Sequence, residues 1–497
     1  MIHNRHFLRR GLVALAGAAL LGAAPNRVCA QAVGLFEGHQ DVGIVLTPGT
    51  AVYDAATKTY TLTGSGENMW AAADAFHFVW KKVTGDVRLS ASIASISEGG
   101  DAHRKAALMI RQSLDGDSAY ADIAVHGDGL TSLQARDQKG AATHEVQSNR
   151  TKPERVAIEK RGNYFYASVA GPTGDFERSG GSMRVPMEGS YYIGIGVCAH
   201  NKDAMVKISF TNVALEPVPA AKAKDLTEFS TLETVTVQST DRRTVLVSTE
   251  RIEAPNWSKD GSTLVFNRAG KLERVAAAGG TPEPVNTGSA SRIASAHGLS
   301  PDGAWIAFTD DSKRTYVVPA AGGEPRLVAE YGVWRAWSPD GKTLLVAGPR
   351  NSSLLSLPVA GGKPTPLAIS AAGASDYPEY SPDGKYIYFT SDRTGGSQIW
   401  RMLADGTEQE QLTSDEMQNW YPHVAPDGRR LVMLSREGTA KGVPHNEDVM
   451  LRIVNLADKK VTVLAKLIGG QGTIDAPSWS PDGRRLSFVS YQLLPKK

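Results

Sequence analysis

The sequence predicts an all-β chain of two domains, a β-sandwich followed by a closed six-bladed β-propeller. Three observations predict it. The tetrapeptide Ser-Pro-Asp-Gly returns at 300–303, 338–341, 381–384 and 480–483, with variants Ala425-Pro-Asp-Gly428 and Ser258-Lys-Asp-Gly261. The Asp residues of these six copies lie 42, 38, 43, 44 and 55 residues apart, and a period near forty marks a propeller built blade by blade. Residues 33–217 lack the repeat and carry many short strand-like runs at the spacing of a sandwich. Fifty glycines and few helical periodicities agree with β structure throughout.

Residues 1–32 read as a signal peptide. Arg5, Arg9 and Arg10 form a basic start, Gly11–Ala24 an apolar core, and Val28-Cys-Ala30 or Ala30-Gln-Ala32 a small-residue cleavage site. The core is short for a bilayer span, so no stable membrane span is expected after cleavage, and the protein is expected to be periplasmic or secreted; a retained anchor is the alternative. The formal charge of +2 includes four signal arginines, and their removal leaves a mature chain near −2. That balance gives no reason to expect a nucleic acid or an anionic membrane as partner. With Cys29 gone, Cys198 stands alone and no internal disulfide can form.

Residues 33–217 hold runs such as Phe76–Trp80, Ala106–Arg111, Ala119–His126 and Tyr191–Val197, separated by turns such as Gly127-Asp-Gly129 and Arg161-Gly-Asn163. The sandwich carboxylates Glu67, Asp86, Glu98 and Asp122 show no paired spacing of the glycosidase kind. Gly85-Asp-Val87, Ala107–Arg111 with Ser113-Leu114, Arg161-Gly-Asn163 and Tyr192–Val197 resemble a concanavalin A-like sandwich of the kind in proteins related to regulation of enolase. Glycan binding is what that resemblance implies. Residues 218–229, rich in Pro, Ala and Lys, read as a linker.

Residues 230–497 carry the repeat. Pro sets φ at the first central turn position, Asp accepts nearby backbone hydrogen bonds, and Gly takes the left-handed residue. An aromatic precedes the turn in four copies (Trp257, Trp337, Tyr380, Trp479) and alternating apolar residues follow, so each copy is a hairpin joining two inner strands. Ala-Gly-Gly runs at 278–280, 321–323 and 360–362 read as turns between outer strands. The last copy offers two strands only. The runs Thr234–Val237 and Thr244–Ser248 can supply its missing outer pair and close the ring. Tyr380–Trp400, ending in Gln411-Leu-Thr413, is similar to the repeat of TolB-like six-bladed propellers, over roughly 230–497.

The innermost strands line the axis, so the residues before each turn are the candidate ligand-binding set. They are Glu253 and Asn256, His297, Trp334 and Arg335, then Asp376, Tyr377 and Glu379. Trp420, Tyr421, His423 and Asp475 complete them. Aromatic faces with charged groups suit a polar ligand, although a solvated mouth needs none. His297 and His423 with Asp376 or Glu379 are the one place a divalent metal is entertained; no cofactor is otherwise expected. An insertion at 437–450 brings His445, Asn446 and Asp448, and Gly469-Gly-Gln-Gly-Thr473 brings Gln471. In TolB-like proteins a His-Pro-Pro-Asn-Lys-Asp loop precedes such a glycine segment; here His445-Asn446-Glu447-Asp448 lacks the second part of that pattern's proline pair. A loop folded by Asn/Asp caps and glycine turns is the plain alternative.

Gly-x-Ser-x-Gly, phosphate-loop and dinucleotide signatures are absent, and no hydrolase domain is expected beyond the last blade. The expected function is a non-catalytic binding or scaffold protein of the cell envelope, holding a protein or peptide segment. The alternative is a carbohydrate-active lyase or hydrolase using the mouth histidines and carboxylates.

Overall fold

The computed structural model describes residues 32–495, apart from 99, 171–173, 291, 349–353, 368–372 and 440–441. The expected signal peptide, residues 1–31 in particular, lies outside the described residues. Among the described residues all regular structure is β except one short 3-10 turn, Ala223–Asp225. No helix among the described residues is long and apolar enough to cross a membrane.

The N-terminal unit is built on two large sheets, with a two-stranded ribbon of Met69–Trp70 and Ala73–Asp74 beside them. One orders the strands Gly38–Val42, Phe76–Val83, Tyr191–Cys198, Lys105–Arg111, Tyr120–His126, Thr131–Arg136 and His144–Gln147. The other runs from Phe176–Arg178 through Tyr164–Ala170, Arg155–Arg161, Val87–Ile96, Asn201–Pro217 and Thr59–Gly66 to Thr50–Asp54. Alternation along each strand sends one face inward. Leu108, Ile123 and Ile195 from the first sheet meet Leu62, Leu89, Ile158 and Ile208 from the second in one apolar core.

The C-terminal half builds five self-contained four-stranded antiparallel sheets. Their innermost strands are Ile252–Trp257, Ile293–Leu299, Val333–Trp337, Ser375–Tyr380 and Gln418–Val424. The repeat makes the turn its chemistry predicts. Ser338 Oγ donates to Asp340 Oδ1 (2.6 Å), Asp340 accepts from Lys342 N (3.0 Å), and Gly341 sits at φ 70°. The hydroxyl of Ser338 also accepts from Thr343 N at 2.9 Å, tying the two strand ends together. In the fifth copy Ala425 has no hydroxyl, and Asp427 accepts from Arg430 Nη2 instead (3.0 Å). The tryptophans before the turn tie neighbouring repeats: Trp337 Nε1 donates to Gly298 O (2.9 Å), Trp479 Nε1 to His423 O (2.9 Å), and Trp257 Nε1 to Ser478 O (3.0 Å). The last of these joins the first blade to the final repeat.

The count of six blades is corrected to five sheets of their own, while the expected closing runs at 234–237 and 244–248 do join the last repeat. The final repeat is not a sheet of its own. Its strand Arg485–Pro495 pairs with Leu226–Thr236, which pairs with Arg242–Ser248. The innermost position shrinks to a single bridge, Trp479 to Leu486. Arg242 and Arg243 then pair in parallel with Val146 and Gln147, so the group merges with the N-terminal sheet into ten strands. The physical reason is an outer strand whose free edge is covered by the neighbouring unit rather than left to solvent. The stretch between the units is also shorter than expected, since pairing resumes at Leu226.

Fully buried Glu233 clamps this junction. Its carboxylate accepts from Arg242 Nε and Nη2 (2.8 Å each) and from Ser490 Oγ, while Arg242 Nη1 donates to Ser182 O (3.1 Å) in the N-terminal unit. Removing one partner of such a pair strands the other charge in the interior. Arg242→Ala is therefore expected to lose about 3–5 kcal/mol in urea denaturation followed by tryptophan fluorescence. The double replacement Glu233→Leu, Arg242→Met is expected to recover most of that loss.

Candidate functional site

The innermost strands do not run straight to the axis. Register slips between Glu253 and Asn256, Asp376 and Glu379, and Trp420 and His423. Within each slip one residue adopts positive φ: Ala254 (54°), Tyr377 (55°) and Tyr421 (55°). A bulge inserts one unpaired residue and re-aims its side chain. Non-glycine residues in this region are strained, which singles the positions out. Each is followed by Pro, in Ala254-Pro, Tyr377-Pro and Tyr421-Pro, and Ala476-Pro stands at the matching place of the last repeat. This recurring X-Pro dipeptide is the sequence signal that locates the mouth.

The bulges open a cavity of about 620 Å³ at one end of the axis. Glu253, Arg335, Tyr377, Tyr421, Gln471 and Asp475 line it, together with Ser295, Lys313, Tyr331, Val333 and Val443. The rings of Tyr377 and Tyr421 lie 4.3 Å apart. Arg335 forks onto Asp376 (2.6 and 2.7 Å) and lies over the Tyr377 ring at 5.0 Å. Asp475 accepts from Gly472 N (2.8 Å) and Ser295 Oγ (3.1 Å). Burial pushes its carboxyl up to about 6, and the Glu253 carboxylate adds to the rise. Burial likewise raises the Tyr421 hydroxyl, with Asp475 beside it. Glu253 takes a guanidinium, Arg251 Nε, at 2.9 Å.

The predicted residues divide into three groups. Glu253, Arg335, Tyr377, Tyr421, Gln471 and Asp475 meet at the mouth, with Asp376 behind Arg335. His423 and Glu379 meet beneath it. His423 Nδ1 donates to Glu379 Oε2 (2.5 Å) and Nε2 to Ile474 O (2.5 Å), while Glu379 Oε1 accepts from Val424 N (2.9 Å). Both ring nitrogens face acceptors, so the ring carries both protons. Burial alone would lower its pKa; the Glu379 charge and these bonds outweigh that and raise it. Such an imidazolium ties three repeats together and has no lone pair to offer a substrate or metal. The third group lies apart. Trp420 is packed in the apolar core under the fifth blade rather than at the mouth. His297 is buried, donates from Nδ1 to Ser295 O (2.9 Å), and is pulled down to about 4 by burial. His297 and His423 are thus held by separate partners.

The insertion reaches the mouth through Val443, and its bases point elsewhere. Pro444 O accepts from Gln471 N at 2.9 Å, which seats the loop on the glycine segment. A Cβ at Gly470 would stand 2.0 Å from Pro444 O, and one at Gly472 2.3 Å from the Tyr491 hydroxyl, so glycine is required at both. Asn446 Nδ2 donates to Glu228 Oε2 (2.6 Å), His445 is exposed, and Asp448 faces Arg184 of the N-terminal unit at 3.6 Å. Sequence reading did not anticipate Ser295, Lys313 or Tyr331. Ser295 shares the bulge position with Glu253 and Asp475, a register visible only once Ser-Pro-Asp-Gly is used as the origin of counting. A larger hollow of about 870 Å³ lies between the two units, where Arg150 and Glu177 already pair with each other.

Comparison with known proteins places this geometry in a lineage. Residues 299–492 match the family described as TolB beta propeller domain, PD40. The chain is 38% identical over 271 residues to "Uncharacterized protein Atu1656" of Agrobacterium fabrum, covering 53% of this chain and 92% of that protein. A "Protein TolB homolog" of Chlorobium luteolum is 27% identical over 109 residues, 22% of each chain. The solved structure of "putative TolB from Agrobacterium tumefaciens" is 38% identical with a TM-score of 0.51, covering 54% of this chain and 99% of that one. Through its C-terminal half, the chain belongs to the TolB-like β-propeller family.

Proposed function

We propose that the protein is an exported, non-catalytic binding or scaffold protein of the cell envelope, and that its propeller mouth holds a peptide or protein segment bearing a basic group. One observation carries this reading: the mouth sets the Tyr377–Tyr421 rings beside the Asp475 and Glu253 carboxyls, while His423 is held on both ring nitrogens and His297 is buried away from the cavity lining. Aromatic faces and carboxylates together attract a cation. Arg335 is paired with Asp376 and Arg251 with Glu253, so Asp475 is the carboxyl that meets the cation in this proposal, with Lys313 on the same lining as the opposing charge. The basic, apolar start of the sequence supports export. The group Arg485–Pro495, Leu226–Thr236 and Arg242–Ser248, with the Trp479 bridge, acts in this proposal as a sixth blade. The two-sheet unit serves as a concanavalin A-like module with a glycan as its partner; its shared core supports the layered arrangement.

A second reading is a carbohydrate-active enzyme, favoured by Asp475. A carboxyl poised near 6 beside the Glu253 carboxylate is the environment of a general acid with a charged neighbour. Turnover of any oligosaccharide that is lost in Asp475→Asn would establish it over the binding reading.

The binding reading is tested with a library of short peptides varied at one basic position. Peptides with Lys, Arg or a free amino terminus are expected to be enriched. Their affinity is expected to fall about 10- to 100-fold in Asp475→Asn, the loss of a charged hydrogen bond. No preference for basic peptides would overturn the reading. The pH dependence has a definite sign. Asp475 titrates near 3.8 in the unfolded chain and near 6 in the folded one, so the folded state holds the extra proton between those values. Its contribution to stability is present below about pH 4 and is lost as pH rises through about 6. The urea midpoint of Asp475→Asn is expected to change less than that of the natural chain between those limits. Peptide affinity runs the other way and is expected to strengthen as pH rises through about 6, where Asp475 becomes charged.

A further inference from the structure

We propose that the N-terminal unit binds one borderline divalent transition cation, zinc or a chemical equivalent such as nickel or copper, through His103, His126 and Asp128. The topology brings them together. Cys198 pairs with Lys105, and Lys105 pairs with His126, so three adjacent strands end at one edge of the sheet. His103 enters that edge two residues before Lys105, Asp128 follows His126 in the next turn, and His200 leaves it two residues after Cys198. One ligand atom from each of His103, His126 and Asp128 lies within 4.8 Å of the others.

The spacing suits a metal. His103 Nδ1 and His126 Nδ1 are 3.3 Å apart. Two nitrogens bound tetrahedrally at zinc's usual bond lengths stand about 3.3–3.4 Å from each other. The supporting groups are also in place. Asp128 Oδ1 accepts from Leu130 N (2.9 Å), which fixes the carboxylate, and Asp101 Oδ1 accepts from His103 N (2.7 Å), which fixes the loop. Behind His126 stands buried Gln134. Its amide nitrogen is 3.5 Å from His126 Nε2, and its oxygen has no partner among the described residues. Turning the amide over places the carbonyl where it accepts the Nε2 proton, and the Nδ1 lone pair then faces the site. Metal-binding histidines are oriented in this way.

Charge and further ligands fit as well. The Lys105 ammonium is itself held by Asn68 Oδ1 (2.8 Å) and Met69 O (3.1 Å). His200 lies 5.5 Å from His103 between ring centroids, and its Nδ1 is buried without a partner among the described residues, which puts a further imidazole beside the set. Two or three imidazoles exclude magnesium and calcium as the preferred ion.

The test uses the full chain without a histidine tag, stripped with chelator and titrated with Co²⁺. One Co²⁺ per chain is expected, with the visible ligand-field bands of a four- or five-coordinate site, displaced by one Zn²⁺. His103→Ala and Asp128→Asn, both at exposed positions, are expected to weaken uptake at least tenfold while the far-ultraviolet circular dichroism is unchanged. His445→Ala, at the exposed histidine of the propeller insertion, is expected to bind as the natural chain does. Uptake below stoichiometry, uptake indifferent to His103→Ala, or uptake lost in His445→Ala would overturn the assignment.

Discussion

The propeller half depends on an antiparallel ladder between Leu226–Thr236 and Arg485–Pro495, segments at opposite ends of the propeller sequence. A ring of sheets is stable only when its last unit is covered on both sides. Here the chain supplies that cover from its own earlier residues, with no disulfide among the described residues, where Cys198 is free and buried in the other unit. The clamp of Glu233 and Arg242 stands at this seam and bonds to the last strand and to the N-terminal unit at once. Trp257 closes the inner side by reaching Ser478 O. The ring and the junction between the units are therefore one construction. Gln492 Nε2 donating to Gly180 O and Lys466 pairing with Asp137 continue it along the same boundary.

The mouth inherits its character from this closure. Asp475 precedes the last repeat and Glu253 the first, so the two carboxyls become neighbours only when the seam is shut. Burial, with their proximity adding to it, is what lifts Asp475. Gly472 lies between Tyr491 and Glu253 with no room for a side chain, which brings the glycine segment against the axis. A local feature, positive φ before proline, then points Tyr377 and Tyr421 into the cavity. The strain at those positions is held by the ladders on either side of each bulge.

Histidine chemistry separates the two halves. In the propeller, His423 is consumed by Glu379 and Ile474 O and acts as a cross-link. In the N-terminal unit, His103 and His126 face each other across 3.3 Å at a solvent-reached edge, with a carboxylate beside them. The first arrangement leaves no lone pair; the second concentrates several. The same residue type thus serves packing in one place and presents a ligand set in another, and the difference is decided by what faces the second nitrogen.

The repeat was legible in the sequence because its information is local. Ser, Pro, Asp and Gly fold their turn with bonds spanning two to five residues, and the alternation that follows sets the strands. The mouth candidates Glu253, Arg335, Tyr377, Tyr421 and Asp475 were legible for the same reason, each lying a short count before a turn. The closing strands were legible as well, since the expected runs at 234–237 and 244–248 lie beside the last repeat; what the sequence could not decide was register within a bulge and the pairing of Arg242 and Arg243 with Val146 and Gln147. Trp420 and Tyr421 are buried in one apolar cluster, yet only Tyr421 also lines the cavity, and which of the two neighbours does so is set inside the bulge, where strict alternation is interrupted. The count of separate blades changed from six to five because an edge strand found a partner about a hundred residues earlier in the chain, at Val146 and Gln147. The histidine cluster was invisible because its members come from separate strand ends and acquire a common position only when the sheet forms. Tertiary structure made those choices, since burial of an edge or pairing of a charge depends on which distant segment arrives to satisfy it.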